Sequence, residues 1–93
     1  MTTRRYESVW DALEDTPGVA ENLKIRSVLM QELTAFVTNT SLTQQEAAAR
    51  FGVTQPRISD LMRGKIDLFS IDTLVNMLTA AGLHVDLRVR KAG

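Results

Sequence analysis

Cysteine is absent from the 93 residues, so disulfide staples and thiolate chemistry are both excluded, and the usage fits a reducing compartment. Histidine occurs once, at His84, with no cysteine or clustered carboxylate beside it to share a metal ion or a nucleophile. This argues against an enzyme and implies neither a metal nor a cofactor. Tryptophan also occurs once, and Trp10 is expected to anchor a core or an interface, because a small domain needs its large apolar area. Neither sign of charge is in excess: 11 basic side chains meet 11 acidic ones. No apolar run approaches the ~20 residues that span a bilayer. No signal-peptide pattern opens the sequence, so the expected partners exclude membranes and the expected location is the cytoplasm. Without internal repeats or low-complexity linkers, residues 1–93 are expected to form a single domain, large enough to bury a modest core unaided.

The charge is unevenly placed. Residues 1–40 carry four basic and six acidic side chains, whereas 41–66 carry Arg50, Arg57, Arg63 and Lys65 against only Glu46 and Asp60. That basic stretch contains the most informative run, TQQEAAARFGVTQPRISDLMRG, residues 43–64. It reads as two short helices joined by Phe51-Gly52-Val53-Thr54, a link that permits only a tight, steep crossing. Thr43 and Glu46 have the spacing of a capping box, and Gly52 can take the positive φ that ends a helix. Thr54 can cap the second helix, with Pro56 in its first turn where a missing amide costs nothing and Val53 stapling onto Ile58. Ala48 faces the crossing, where a larger side chain would wedge the pair apart. Ala47, Phe51, Val53, Ile58 and Leu61 form the apolar underside, and Gln55, Pro56, Arg57, Asp60 and Arg63 the polar outer face.

The flanks read as support. Within residues 1–40, Ser8–Leu13 suits a short helical stretch and Arg4-Arg5 a solvated terminus or a phosphate-seeking arm. Thr16-Pro17 then starts a longer helix whose stripe is Ile25, Val28, Leu29, Leu33, Phe36 and Val37, ending at Asn39-Thr40-Ser41. After Gly64, Ile66 and Leu68 are expected to tuck under the domain, and Ser70 to cap a closing helix over residues 70–82, with Phe69 stapled to Leu74. Over residues 83–91 the period changes to two: Leu83, Val85, Leu87 and Val89 alternate with His84, Asp86, Arg88 and Arg90, the signature of a half-buried strand. A lone strand leaves its backbone unpaired. Apart from the few residues around Arg5 to Glu7, a weak candidate, nothing else reads as a partner strand. The expectation is therefore an antiparallel ribbon with a second copy, centred on Leu87 so that Asp86 opposes Arg88 of the other chain.

The run from Leu42 to Gly82, and QPRISDLMRGK followed by FSIDTL most of all, resembles the Xre and Cro/cI-type helix-turn-helix proteins, and among them the small antitoxins of the HigA type. The resemblance implies a mostly α, lambda-repressor-like bundle of about five helices, here with a C-terminal β-strand pairing in a dimer. It also implies a repressor that binds a palindromic double-stranded DNA operator as a homodimer at the nucleoid, with a RelE/HigB-like toxin as partner. The alternatives are a free-standing phage-type or host repressor, or an interaction module whose acidic N-terminal part neutralises a toxin with little DNA binding. In the DNA reading, Thr43 and Gln44 with the amides beside them face a phosphate, as do Arg63 and Lys65. Thr54, Gln55, Pro56, Arg57 and Ser59 lead the helix that enters the major groove, Gln pairing with adenine and Arg with guanine. Asp60 is expected to orient Arg57 or Arg63, with a contact to cytosine as the alternative.

Overall fold

A computed structural model of the protein describes residues 17–91. The expected Ser8–Leu13 helix, Trp10, Arg4 and Arg5 lie outside the described residues. Helix α1 spans Pro17–Asn39, about 35 Å at 1.5 Å per residue. Its buried side is Arg26, Leu29, Met30, Leu33 and Val37, with Ile25 and Phe36 packed at the margin. The stripe is rotated from the expected one: Met30 turns inward, while Val28 is half exposed at 49%. The rotation brings Arg26, one turn ahead of Leu29 and Met30, onto the inner face.

The helix ends by a closed C-terminal motif. Ser41 takes the left-handed conformation at φ 57°, the Ser41 amide donates to the Thr38 carbonyl at 3.2 Å and the Leu42 amide to the Val37 carbonyl at 3.1 Å. These bonds satisfy carbonyls that the helix would otherwise leave open. Helix α2 spans Gln44–Phe51 and α3 spans Gln55–Met62. Between them Gly52 sits at φ 73° with open space where a Cβ would be. Glycine is required there by the backbone sign alone, and not by crowding. The Val53 amide then donates to the Ala48 carbonyl at 3.0 Å, turning the chain straight into α3.

A 3₁₀ turn, Ile66–Leu68, leads to α4, Ile71–Ala80, whose cap Ser70 accepts from the Thr73 amide at 3.1 Å. Helix α4 packs on α1 and α2, and α2 on α3, so the four helices enclose one core. At its centre Leu33, Ile58, Leu61, Phe69, Leu74 and Met77 are all essentially inaccessible to solvent. Ile66 packs against this core, as expected. Leu68 does not: its side chain remains 49% exposed, because the turn directs Phe69 inward in its place.

Among the described residues there are four α-helices and one 3₁₀ turn; of the five or so helices anticipated, the remaining one, over residues 8–13, lies outside them. One architectural expectation needs correction. Residues 83–91 form no strand. The physical reason is that a strand exists only through its ladder, and among the described residues no segment lies alongside to complete it. The alternation nevertheless divides the tail, though differently from a uniform half-buried strand. Leu83 and Val85 pack against the core, whereas Leu87 and Val89 are 78% and 87% exposed.

Candidate nucleic-acid interface

The surface expected to read a ligand is built by local bonds. At the start of α2 the Thr43 hydroxyl accepts from the Glu46 amide at 3.1 Å, and the Glu46 carboxylate accepts from the Thr43 amide at 2.9 Å. The capping box is thus closed as expected. It consumes two of the amides offered to a phosphate and leaves those of Gln44 and Gln45 at the exposed helix start. The Thr54 hydroxyl caps α3 by accepting from the Arg57 amide at 3.4 Å, and Pro56 lies in the first turn. Ala47 and Ala48 are buried where α2 meets α3, and Ile58 and Leu61 fix the underside of α3. Helix α3 therefore cannot rotate about its axis without breaking the core.

With that face pinned, the opposite one is free. Thr54, Gln55 and Pro56 are exposed, and Ser59 and Asp60 are half exposed. Arg63 and Lys65, just past the helix, and Arg50 on α2 are exposed as well. Asp60 lies 3.8 Å from the Lys65 ammonium group. It thus orients Lys65, five residues further along the chain, and is bonded to neither Arg57 nor Arg63. Both partners keep access to solvent, so the pair is a weak tether and leaves Lys65 available to an anion.

Arg57 is placed differently from its neighbours. It is half-buried, its Nη1 donates to the Leu68 carbonyl at 3.0 Å, and its guanidinium carbon lies 5.3 Å from the centre of the Phe69 ring. Its side chain runs along the protein towards the 3₁₀ turn.

The same turn is gripped from the other side by a residue the sequence reading did not single out. Arg26, only 8% exposed, donates from Nη1 to the carbonyls of Ile66 at 3.1 Å and Phe69 at 3.4 Å, and from Nε to Asn22 Oδ1 at 2.6 Å. Three neutral oxygens thus solvate this buried cation. Its signal was available: an arginine at the spacing of the buried stripe, four residues after an asparagine. Among the described residues no buried side-chain nitrogen or oxygen lacks a partner.

A second surface lies on the far side of α1. Ile25, Val28 and Leu29 of α1 and Leu83, Val85 and Leu87 of the tail line an apolar groove of about 410 Å³. With Asp86 at its rim, it contains four of the residues assigned to dimerisation. Arg88 and Val89, the others in that set, are exposed, and the Asp86 carboxylate lies 3.3 Å from the His84 imidazole. Among the described residues no group of three metal-binding side chains converges, and no helix is long and apolar enough to cross a membrane.

Comparison with known proteins agrees with this geometry. Residues 12–90 match the family model described as a helix-turn-helix domain. A solved structure whose name assigns it to the XRE family of transcriptional regulators superimposes with a TM-score of 0.72 at 34% identity, over 78% of this chain and 82% of that one. No curated protein matches the chain. A family model spanning most of the sequence, and a relative of the same architecture at this identity, lead to one assignment: the chain belongs to the helix-turn-helix domain family, as an XRE-type DNA-binding transcriptional regulator.

Proposed function

We propose that the protein is a sequence-specific repressor that binds a near-palindromic operator as a homodimer and serves as the antitoxin of a toxin-antitoxin operon. The observation that carries the DNA part is the outward face of α3, where Gln55 and Pro56 are exposed while Ile58 and Leu61, on the other side, are buried. A helix held this way can enter a major groove, with α2 crossing the backbone above it. Gln55 then meets base edges, with Thr54 and Ser59 as further contacts. Arg63, Lys65 and Arg50, with Gln44 and the α2 amides, meet phosphates. The antitoxin role rests on the resemblance of QPRISDLMRGK and FSIDTL to the HigA type, and a RelE/HigB-like toxin is the partner it implies.

Selection of bound duplexes from a random pool tests the DNA part. The expected outcome is a near-palindrome with half-sites about 34 Å apart or a multiple of it. Gln55→Ala is expected to lose about 1–3 kcal/mol of discrimination at one position of each half-site. A pool that stays random after selection would remove the proposal. Co-purification with the product of an adjacent gene separates an antitoxin from a free-standing repressor.

The dimer is assigned to the tail. Leu87 and Val89 continue the alternation of Leu83 and Val85, but none of the described residues covers them. A second copy's tail, antiparallel and centred on Leu87, supplies both the missing ladder and the missing cover. Leu87→Asp and Val89→Asp together leave the core of the single chain untouched and place four carboxylates in the ribbon of a dimer. They are expected to convert the protein to monomer in sedimentation at micromolar concentration. A dimer that survives both substitutions places the twofold axis elsewhere.

A further inference from the structure

Of the cations clustered around α3, Arg57 alone has its guanidinium both hydrogen-bonded to backbone and stacked on a ring. It reaches eleven residues along the chain to the Leu68 carbonyl at 3.0 Å and lies 5.3 Å from the Phe69 ring centre. That ring is 1% exposed and fixed in the core. From α1, Arg26 holds the carbonyls at both ends of the same segment, Ile66 and Phe69. The segment between α3 and α4 is therefore clamped from two helices by two arginines.

To reach a base, the Arg57 guanidinium has to give up a charge-assisted hydrogen bond and a cation–π contact. We propose that it does not: Arg57 is a positioning residue that braces α3 against the 66–69 segment, fixing the tilt at which Gln55 and Lys65 meet the duplex, and it touches no base or phosphate. This rests on the DNA-binding reading and reassigns one residue within it. Sequence alone pointed the other way, because an arginine in the first turn of such a helix is the residue type best suited to guanine.

The full chain, as wild type and as Arg57→Ala, Phe69→Leu, Phe69→Tyr and the Arg57→Ala/Phe69→Leu double variant, is titrated against the selected operator. Single-base-pair variants of the operator and a scrambled duplex complete the series, at several salt concentrations, with affinities normalised to the folded fraction. Phe69→Leu preserves an apolar side chain and removes the π face, which Phe69→Tyr retains. Arg57→Ala is expected to weaken the operator by about five- to tenfold, and the scrambled duplex, which lacks the Gln55 contact, by less, without changing their order or the slope of log affinity against log salt. Phe69→Leu is expected to weaken them the same way, Phe69→Tyr to bind as wild type does, and the double variant to bind no worse than the weaker single variant.

A loss of preference at a base pair that Gln55→Ala leaves unaffected identifies a base contact, and a slope smaller in magnitude by about 0.9 identifies a phosphate contact. Either result overturns the proposal, as does unchanged affinity. If the wild-type chain has no sequence preference at all, it is the DNA reading that fails. The brace is then decided by the unfolding equilibria of the same variants, where purely additive effects of Arg57→Ala and Phe69→Leu refute it.

Discussion

Raising the salt from 50 to 200 mM is expected to weaken operator binding by about a thousandfold, at the lower end of the range for a protein making six to ten phosphate contacts. The formal charge of the chain is zero, so the protein as a whole is not drawn to a polyanion, and the attraction must come from where its charges sit. Three cations at the proposed interface, Arg50, Arg63 and Lys65, are exposed, which makes six in a dimer. At a slope of about −0.9 per neutralised phosphate, six contacts over a fourfold rise in salt give a loss of roughly 10³. Arg57 adds nothing to this count if its guanidinium stays on Leu68 and Phe69. Asp60, 3.8 Å from the Lys65 ammonium, and Glu46 at the mouth of α2 oppose the attraction, so a loss near 10⁵ is not expected. Filter or anisotropy titrations across this salt range measure the slope directly. A slope near zero would contradict the electrostatic assignment, and one near −9 would require further cations to reach the backbone.

How much of this was legible in the sequence follows from the range of the forces involved. Thr43, Glu46, Gly52, Thr54 and Ser70 act within their own turn of chain, and each one found in the structure does what its spacing implied. The underside of α3 was equally readable, because Ile58 and Leu61 are forced inward by the short link at Gly52. Arg57 was not readable in this way. Its amide obeys the local rule by donating to Thr54, while its side chain answers to Leu68 and Phe69 across a tertiary gap. Arg26 was missed for a similar reason. A charged residue on an apolar stripe normally argues against burial, and here the carbonyls of Ile66 and Phe69 offset that cost from forty or more residues away.

The tail marks a different limit. Alternation in sequence specifies which side chains share a face, but it does not specify which chain supplies the ladder, so residues 83–91 read as a strand and stand in the single chain as none. Alternation places Val85 and Val89 on one face and so does not account for the contrast between Val85, packed on the body, and Val89, left in solvent. The point at which burial stops is where α1 and α4 no longer offer a surface, a fact of tertiary geometry.

Phe51→Ala is expected to cost about 3–5 kcal/mol of folding stability, a large share of the 5–15 kcal/mol typical of a domain. Phe51 is the last residue of α2, immediately before the Gly52 turn, and is 2% exposed. Its ring lies 5.9 Å from that of Phe36 on α1 at an angle of 45°, a tilted arrangement that adds to the area buried. The Arg50 guanidinium lies 5.3 Å from the centre of the same Phe36 ring, so the substitution leaves that exposed cation as the remaining contact of α2 with Phe36. Collapse cannot easily refill the site: α2 is fixed to α3 by the short turn at Gly52 and to α4 by packing, and closing the gap would mean moving both. The measurement is the midpoint of denaturant unfolding, expected to fall with the slope against denaturant unchanged, because the surface exposed on unfolding stays nearly the same. Leu68→Ala is the matched control. Leu68 is 49% exposed, although its sequence position suggested a buried residue, and its truncation is expected to cost less than about 1 kcal/mol. Equal losses at the two positions would mean that the 3₁₀ turn packs its leucine inward after all, and that the clamp of Arg26 and Arg57 on this segment is wrongly drawn.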